Sequence, residues 1–402
     1  MMYLKCSCRR AFMAAILATA LRLSLSALSS EDEVFMPNQP DAVPTFLIIG
    51  TAKGGTTDLF EQLTSETVNL DPNRPDPPLP HKPKKEAGLL SRGGIDASKM
   101  LPQRLQYIEY LRLLRHPCGN ATKGTFQECI VTNATKQFTL DATPTYFFSA
   151  VAPLYLRELS SLSKIVMMIR EPVERAEVLY RHYVLAEGRW PDQSIDDLAT
   201  DFFKAIKTEK GVVPVLQRAA NCSFGDVFCL ANSWRDISGL SLMDSLENKL
   251  FAAGMYRYAL AVWRYHYFRP GRVLVVDSHA YFERRADVME TVIRFLYGRP
   301  MLPSERKHAA SGEVWRKVVI PSLPKLTLSP PVRQQLSEFY EQHVMRGMFK
   351  MLSDMRDEGA WLVGFDGEPW RRCPGFMEFN AAAKPKPSLV ASEVMEAAAR
   401  RF

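Results

Sequence analysis

An apolar run that ends in a glycine-rich turn limits the possible folds more than any other feature of this chain. Residues 45–50 (TFLIIG) are almost wholly apolar, which is typical of a buried parallel strand. Residues 56–64 (TTDLFEQLT) follow with three apolar side chains at helical spacing, namely Leu59, Phe60 and Leu63. A strand, a glycine-rich turn and a helix in this order predict a loop that turns its backbone N–H groups towards an anion, beside the positive end of the helix dipole.

The turn itself (GTAKGGTT) resembles a nucleotide-binding P-loop without matching it. Gly50, Gly55 and Thr57 occupy positions of the frame G-x-x-x-x-G-K-[ST]. Thr56 replaces the lysine of that frame, and Lys53 comes earlier instead. We therefore expect a P-loop-like anion site that is not a standard ATP site. A glycine turn without a ligand is the alternative, although a lysine and two threonines add donors that such a turn does not need.

Two more apolar runs predict buried strands, KIVMMI at residues 164–169 and RVLVVD at residues 272–277. Helical spacing or a helix-starting proline predicts helices at residues 100–115, 172–187, 241–268, 287–296 and 330–351. Strands that alternate with helices predict an α/β fold with a mainly parallel central sheet flanked by helices.

The first 30 residues have the pattern of a secretory targeting segment. Lys5, Arg9 and Arg10 precede an apolar run, which Arg22 interrupts and the acidic residues 31–33 end. The run is short for a membrane span of about 20 residues. A cleaved signal peptide and an uncleaved signal-anchor both fit it, and an amphipathic transit peptide is a third possibility. We accordingly divide the chain into a targeting segment 1–30, a stem 31–44, a main domain 45–370 and a loosely structured tail 371–402.

Sequons and cysteines indicate an oxidising, lumenal compartment. Three asparagines lie in N-x-[ST] acceptor patterns: Asn120, Asn133 and Asn221. Two cysteine pairs bracket polar loops: Cys118 with Cys129, and Cys222 with Cys229. Each pair predicts a local disulfide, with buried free thiols as the alternative.

A basic residue ends the second predicted strand. Ligands of open α/β sheets bind outside the carboxyl ends of the strands, and Arg170 lies at such an end. A guanidinium in this place suits a phosphate. An ion pair of Arg170 with Glu171 or Glu174 at the start of the next helix is the alternative.

Taken together, residues 46–62 look like the 5'-phosphosulfate loop of Golgi carbohydrate sulfotransferases. The loop resembles heparan sulfate 3-O-sulfotransferases in its KGGT core and N-acetylgalactosamine 4-sulfate 6-O-sulfotransferase in its continuation GTTDL. The resemblance implies that PAPS (3'-phosphoadenosine 5'-phosphosulfate) is the sulfuryl donor. It assigns the contacts with the sulfuryl group and the 5'-phosphate to five residues of the turn: Lys53, Gly54, Gly55, Thr56 and Thr57.

The REPVER segment that starts at Arg170 is similar to the 3'-phosphate motif of the same family, so Arg170 is expected to bind the 3'-phosphate of PAPS. The family has a serine about two turns later, and ungapped alignment puts Val178 there. If YRHY at residues 180–183 is the family's Tyr-Ser-Asp-Tyr shifted by an insertion, Arg181 takes the place of that serine. Two further nucleotide contacts are expected where the family often has a loop that closes over the nucleotide: Lys325 and Thr327.

The resemblance also assigns a catalytic base and an acceptor cleft. The PKKE stretch that ends at Glu86 matches the family's Lys-Glu context, so Glu86 is expected to deprotonate the acceptor hydroxyl, with His81 as the local alternative. Lys53, which contacts the sulfuryl donor, is the second expected catalytic residue. The DATPTYF segment resembles the family's [DE]-x-[ST]-P-x-Y motif. It places Thr143 and Tyr146 at the acceptor cleft, unless it is only a proline-fixed turn that packs an aromatic side chain.

These features predict a PAPS-dependent O-sulfotransferase that acts in line, without a metal ion, on a polysaccharide or glycoprotein sugar. The formal charge of +7 suits an anionic nucleotide and an anionic polysaccharide, and no motif indicates nucleic acid. The expected location is the Golgi lumen, as a single-pass type II membrane protein or secreted after signal cleavage. One alternative is a lumenal P-loop kinase, which the displaced lysine and the lack of a Mg²⁺-holding aspartate motif disfavour. The other is a non-catalytic descendant that binds PAP or glycans.

Overall fold

The described strands form one parallel sheet. The computed structural model of the chain describes residues 46–65, 140–159, 163–185, 187–188, 193–207, 213–222, 226–238, 249–311, 326–365 and 370. These residues belong to the unit that spans residues 43–402. Five strands are found among them, all parallel to their neighbours, in the spatial order β2-β1-β3-β4-β5. Their bounds are β1 Phe46–Gly50, β2 Leu140–Ala142, β3 Lys164–Ile169, β4 Val273–Asp277 and β5 Trp361–Val363.

Helices connect these strands. Before β4 they are α1 Thr56–Thr64, α2 Ala152–Leu159, α3 Pro172–Leu185, α4 Ile195–Lys207, α5 Val213–Ala220, α6 Val227–Ser238 and α7 Tyr256–His266. After β4 they are α8 Ser278–Glu283, α9 Arg285–Tyr297, α10 Pro303–Ser311, α11 Pro330–Tyr340 and α12 Arg346–Asp357. A π-helical turn, Glu341–Met345, joins the last two, and short 3₁₀ helices occupy Pro144–Phe148 and Ala252–Gly254.

Strand β1 separates two apolar cores. Its side chains alternate between the faces of the sheet, with Leu47 and Ile49 in one core and Phe46 and Ile48 in the other. The first core also contains side chains of α3, α7 and α12, and the second contains side chains of α1 and α9. Because helices cover both faces, each residue of the strand can be apolar, which is the pattern of a parallel sheet.

The predicted α/β class, with a parallel central sheet flanked by helices, is confirmed. The three predicted strands agree with β1, β3 and β4 to within one residue. Strands β2 and β5 were not predicted, because three residues are too few to show a strand pattern. The helix predicted to end at residue 351 continues through the π-helical turn to Asp357.

Other predicted segments differ or lie elsewhere. The described part of the long helical region predicted at 241–268 begins with two helical residues, Lys249 and Leu250, and continues with a 3₁₀ turn, a break at Met255 and then α7. Helices α2, α4, α5, α6, α8 and α10 were not predicted. The targeting segment 1–30, the stem, the helix predicted at 100–115 and the tail 371–402 lie outside the described residues. Within the described ranges, no helix is both long enough and apolar enough to span a bilayer.

Candidate functional site

The carboxyl ends of four strands meet at one edge of the sheet. The glycine-rich turn 51–55 follows β1, Thr143 follows β2, Arg170 follows β3 and Ser278 follows β4. Parallel strands necessarily end at the same edge, and this edge is where ligands of open α/β sheets bind. The topology therefore brings the glycine-rich turn and Arg170 together, although Lys53 and Arg170 are 117 residues apart in the sequence.

The backbone of the turn explains its glycines. Lys53 (φ 67°) and Gly55 (φ 100°) both adopt left-handed conformations. A Cβ atom on Gly54 would lie 2.8 Å from the Met168 carbonyl oxygen and 3.0 Å from the Thr51 carbonyl oxygen. The Gly54 N–H donates to that Thr51 carbonyl at 2.9 Å and closes the turn. Only glycine fits at position 54, and glycine is the residue that adopts the conformation at position 55 without strain.

Helix α1 begins at the turn without a side-chain cap. Gly55 is its N-cap residue and offers no side chain to the first backbone N–H groups. These groups have no carbonyl partner within a helix, and they carry the positive end of its dipole. Thr56 is buried and Thr57 is exposed at this end. The turn and the helix start thus place backbone N–H donors at the carboxyl edge of the sheet, as an anion site requires.

Arg170 faces the same turn. Its Nη1 lies 3.4 Å from the Lys53 carbonyl oxygen, and its Nε lies 3.4 Å from Glu174 Oε2. The side chain is 21% exposed. The ion pair with Glu174 that the sequence left open is therefore present, and the guanidinium reaches the glycine-rich turn as well.

Glu171 holds the start of α3 in place. Its carboxylate accepts hydrogen bonds from the backbone N–H groups of Val173 (3.1 Å) and Glu174 (2.7 Å), as an N-cap side chain does. Burial raises the pKa of Glu171 to about 6, although these two bonds act in the opposite direction. The cap fixes the direction of the helix that follows Arg170.

Ser278 is a residue of the site that sequence reasoning missed. Its hydroxyl donates to the Gly54 carbonyl oxygen at 2.6 Å, and both residues are buried. The preceding Asp277 caps α8 by accepting from the N–H groups of His279 and Ala280, each at 3.1 Å. Burial raises the pKa of Asp277 to about 6. An aspartate at the end of an apolar strand was the available signal, since Asp is a favoured N-cap residue.

A second arginine of the REPVER segment has a different environment. Arg175 is completely buried, and its Nη2 donates to the carbonyl oxygens of Lys249 and Leu250. Burial raises the pKa of the neighbouring Tyr256 to about 12, against the opposing effect of the Arg175 charge. Arg175 thereby joins α3 to the turn before α7 beneath the site, and it offers no surface to a ligand.

A cavity of about 550 Å³ is bordered by Phe282, whose ring contacts the glycine-rich turn. It is lined by residues 282–287 of α8 and α9 and by Ala309 and Ala310 of α10. The Phe282 ring packs against Gly55, since a Cβ atom on Gly55 would lie 2.7 Å from its Cζ. This aromatic ring and the cavity were not predicted, because they depend on how α8 packs against the turn and how α10 packs against α9.

A buried polar cluster fixes the flank of α1 next to this cavity. Asp58 accepts a 2.6 Å hydrogen bond from the Tyr281 hydroxyl and lies 3.4 Å from Arg285 Nε. Burial raises the pKa of Asp58, and the Tyr281 bond and the Arg285 charge oppose the shift. The cluster ties the helix of the glycine-rich turn to α8 and α9.

Besides Arg170, two of the expected nucleotide contacts outside the turn lie within the described residues, Arg181 and Thr327. Arg181 lies roughly 14 Å along α3 from its first residue, Pro172, at a rise of 1.5 Å per residue. Its Nε lies 3.3 Å from the Glu177 carbonyl oxygen, one turn back. Val178, which the ungapped alignment puts at the position of the family's serine, is half-buried on α3 and has no hydroxyl to offer a phosphate. Thr327 is exposed, next to Leu328, whose N–H donates to Glu177 Oε1 at 3.1 Å.

Thr143 and Tyr146 form hydrogen bonds with an aspartate of their own segment. Both are buried, and both donate to the Asp141 carboxylate, at 2.7 Å from Thr143 Oγ1 and 3.0 Å from the Tyr146 hydroxyl. These bonds form the proline-fixed turn that the sequence offered as the alternative, and the place of both residues at an acceptor cleft stays a prediction. That turn packs on β1, since a Cβ atom on Gly50 would lie 2.4 Å from Phe147 Cβ.

Only part of the lumenal signature lies within the described residues. Asn221 is exposed at the end of α5, and Cys222 is joined to Cys229 by a disulfide with an S–S distance of 1.99 Å. The remaining candidates lie outside the described residues: His81, Glu86, Cys118, Asn120, Cys129, Asn133 and Lys325.

Comparison with known proteins gives similarity only to solved structures. No protein-family model and no curated protein matches the chain. A sulfotransferase from Alicyclobacillus acidocaldarius is 18% identical, with 78% of this chain and 99% of that chain covered and a TM-score of 0.43. Sulfotransferase STF9 from Mycobacterium avium is 10% identical, with 79% and 80% covered and a TM-score of 0.34. The roles of individual residues in this chain rest on its own geometry.

Proposed function

We propose that this chain is a sulfotransferase that transfers the sulfuryl group of PAPS to a hydroxyl of a carbohydrate. The observation that carries the proposal is the contact between Arg170 and the glycine-rich turn, with Nη1 3.4 Å from the Lys53 carbonyl oxygen. PAPS is anionic at two ends, the 5'-phosphosulfate and the 3'-phosphate. A helix start beside a guanidinium offers one anion site to each end.

The turn is suited to the phosphosulfate end. Left-handed backbone at Lys53 and Gly55 and the uncapped start of α1 provide donors without requiring a metal ligand. Lys53 adds a positive charge close to the bond that breaks. Charge that develops on the leaving phosphate is thus stabilised by groups that the fold already holds in place.

The cavity beside Phe282 is suited to the nucleoside. Its volume of about 550 Å³ lies within the range typical of ligand pockets, about 300–1,000 Å³. An aromatic ring at its border favours a planar base, because stacked rings attract each other. The cavity adjoins the turn through the contact of Phe282 with Gly55. A nucleotide with its phosphate on the turn can therefore extend into it.

The transfer itself requires little covalent help from the protein. A bond forms between the acceptor oxygen and sulfur, the bond from sulfur to the 5'-phosphate oxygen breaks, and PAP leaves. The hydroxyl proton passes to a base, for which we propose Glu86 on the strength of its sequence context. Lys53 neutralises the leaving oxygen, and the remaining contribution is in-line alignment of donor and acceptor.

A carbohydrate acceptor in the Golgi lumen fits the rest of the chain. The sequon at Asn221 is exposed, and the disulfide of Cys222 with Cys229 is expected in an oxidising compartment. The formal charge of +7 favours an anionic polysaccharide. We propose an N-terminal signal-anchor or signal peptide on the basis of residues 1–30.

One residue weighs against a kinase. Asp277 ends an apolar strand at the carboxyl edge of the sheet, where P-loop kinases hold Mg²⁺ through an aspartate. Both of its oxygens accept backbone N–H groups of α8, and the side chain is completely buried. Its carboxylate is committed to capping a helix.

The proposal is tested by ligand-dependent thermal stability. We expect PAP to raise the melting temperature of the full chain by much more than ADP does at the same concentration. A ligand present at 100 times its Kd stabilises the native state by about 2.7 kcal/mol. Lys53→Ala should reduce the PAP response. Lys204→Ala is the matched control, because Lys204 is an exposed lysine of α4 that pairs with Asp201. A larger response to ADP would favour the kinase, and no response to either nucleotide would refute the proposal.

A further inference from the structure

The Gly54 carbonyl oxygen, at the centre of the turn, is bound by a side chain from another strand. Ser278 Oγ lies 2.6 Å from it, across a separation of 224 residues in the sequence. Both groups are buried, and Ser278 is 0% exposed. We infer that Ser278 is a positioning residue, which sets the direction in which the turn presents its N–H donors.

The geometry of the peptide bond explains how Ser278 acts. The Gly54 carbonyl and the Gly55 N–H belong to one planar unit and point in opposite directions. Binding the carbonyl on the Ser278 side therefore directs the Gly55 N–H the other way. Glycine at both positions leaves this peptide free to rotate, since neither residue has a Cβ atom to restrict it. The hydroxyl of Ser278 supplies the restriction that the glycines lack.

The adjacent peptide unit is held in a comparable way. The Lys53 carbonyl lies 3.4 Å from Arg170 Nη1, and the Gly54 N–H of the same unit donates to the Thr51 carbonyl at 2.9 Å. Two successive carbonyl oxygens of the turn are thus bound by groups at the ends of β3 and β4. Free carbonyl oxygens would repel an anion, whereas bound ones are kept away from it.

Ser278 has a rigid support. Strand β4 pairs with β3 up to the Ile169–Asp277 pair, directly before Ser278. Asp277 then caps α8, so the backbone on both sides of Ser278 is hydrogen-bonded. A hydroxyl on such a support can hold a peptide plane, because its own position is fixed by the sheet and the cap.

The experiment measures the turn without a ligand first. In Ser278→Ala, amide hydrogen exchange in residues 50–58 of the full chain should be at least about tenfold faster. The loss of one hydrogen bond changes the local opening equilibrium by about that factor. Ser233→Ala is the matched control, because Ser233 is also buried and donates to a backbone carbonyl, that of Cys229 at 2.9 Å. It should leave exchange in the turn unchanged. Ser278→Thr keeps the hydroxyl and should keep the protection.

Ligand binding then tests the consequence, which rests on the proposed function. S278A should raise the Kd of PAP about tenfold and leave the Kd of 3'-AMP, which lacks the 5'-phosphate, unchanged within about twofold. A purely structural role would lower the melting temperature without this difference between the two ligands. Unchanged exchange in S278A would overturn the inference whatever the ligand. If exchange is faster in S278A but the protein binds no PAP, Ser278 remains a positioning residue of the turn and the proposal that the turn binds PAP is refuted.

Discussion

Replacing Arg170 by alanine should remove tight PAP binding and leave the fold almost as stable. The ion pair with Glu174 joins atoms 3.4 Å apart in side chains that are 21% and 32% exposed. Partly exposed pairs of this kind contribute about 1 kcal/mol or less. The contact with the Lys53 carbonyl, also 3.4 Å, is long for a hydrogen bond. The free energy of unfolding should therefore fall by about 1 kcal/mol at most.

The loss in binding should be much larger. A guanidinium can form two parallel, charge-assisted hydrogen bonds with a phosphate, each worth about 1.5–3 kcal/mol. Losing about 3 kcal/mol or more raises the Kd of PAP at least about 100-fold. The Kd of 5'-AMP should rise much less, because this ligand has no 3'-phosphate and loses only the long contact of Arg170 with the Lys53 carbonyl of the turn. The ratio of the two dissociation constants isolates the contribution of Arg170.

Isothermal titration of both nucleotides measures that ratio. Arg294→Ala is a suitable control, because Arg294 also pairs with a glutamate one turn away, Glu290 at 2.8 Å, and is 58% exposed. Arg181→Ala asks whether the second arginine of α3 takes part, and the separation along the helix predicts a small effect. Equal losses of PAP and 5'-AMP in R170A would refute the assignment of Arg170 to the 3'-phosphate.

Three more changes test other parts of the site. Gly54→Ala should weaken PAP binding at least about tenfold in a titration, because the added carbon would meet the Met168 carbonyl at 2.8 Å. Gly188→Ala is the control for backbone strain away from the turn, because Gly188 has a φ of 63° and no described atom within 4 Å of the added carbon, and it should leave PAP binding unchanged. Glu171→Gln should alter the pH dependence of unfolding. Folding raises the pKa of Glu171 from 4.5 to about 6, so this group stabilises the fold below pH 4.5 and that contribution is lost as the pH rises through 6. Wild type should lose up to about 2 kcal/mol relative to E171Q between pH 4.5 and 6.5 in denaturant titrations, and parallel curves would contradict this. Cys222→Ser should lower the free energy of unfolding by about 2–3 kcal/mol, as expected for a disulfide that closes a short loop, and a reducing agent should destabilise wild type by more than it destabilises the variant.

Patterns that belong to one segment could be predicted from the sequence. The strands β1, β3 and β4 and the helix after the glycine-rich turn follow from local apolar runs and spacing. The meeting of Arg170 with that turn could also be expected, since parallel strands end at one edge. Strands β2 and β5 could not, because their three residues are selected by the neighbours they pair with.

Contacts between segments that are distant in the sequence could not be predicted. Ser278 has no motif of its own, and its role depends on the register of β4 against β3. Phe282 becomes part of the site only because α8 packs against Gly55. The hydrogen bonds of Thr143 and Tyr146 to Asp141 were likewise not predicted, because the motif shows the residue types and not their partners.

Transfer of labelled sulfate from PAPS is the most direct measurement. The full chain, produced in a secretory host, is incubated with PAPS carrying radioactive sulfur and a panel of glycosaminoglycans and N-glycans, and label on the acceptors is counted. We expect label on a carbohydrate with wild type and Lys204→Ala, and none with Lys53→Ala or Glu86→Ala. Absence of transfer to every acceptor, or transfer that survives both of the latter changes, would contradict the sulfotransferase proposed here.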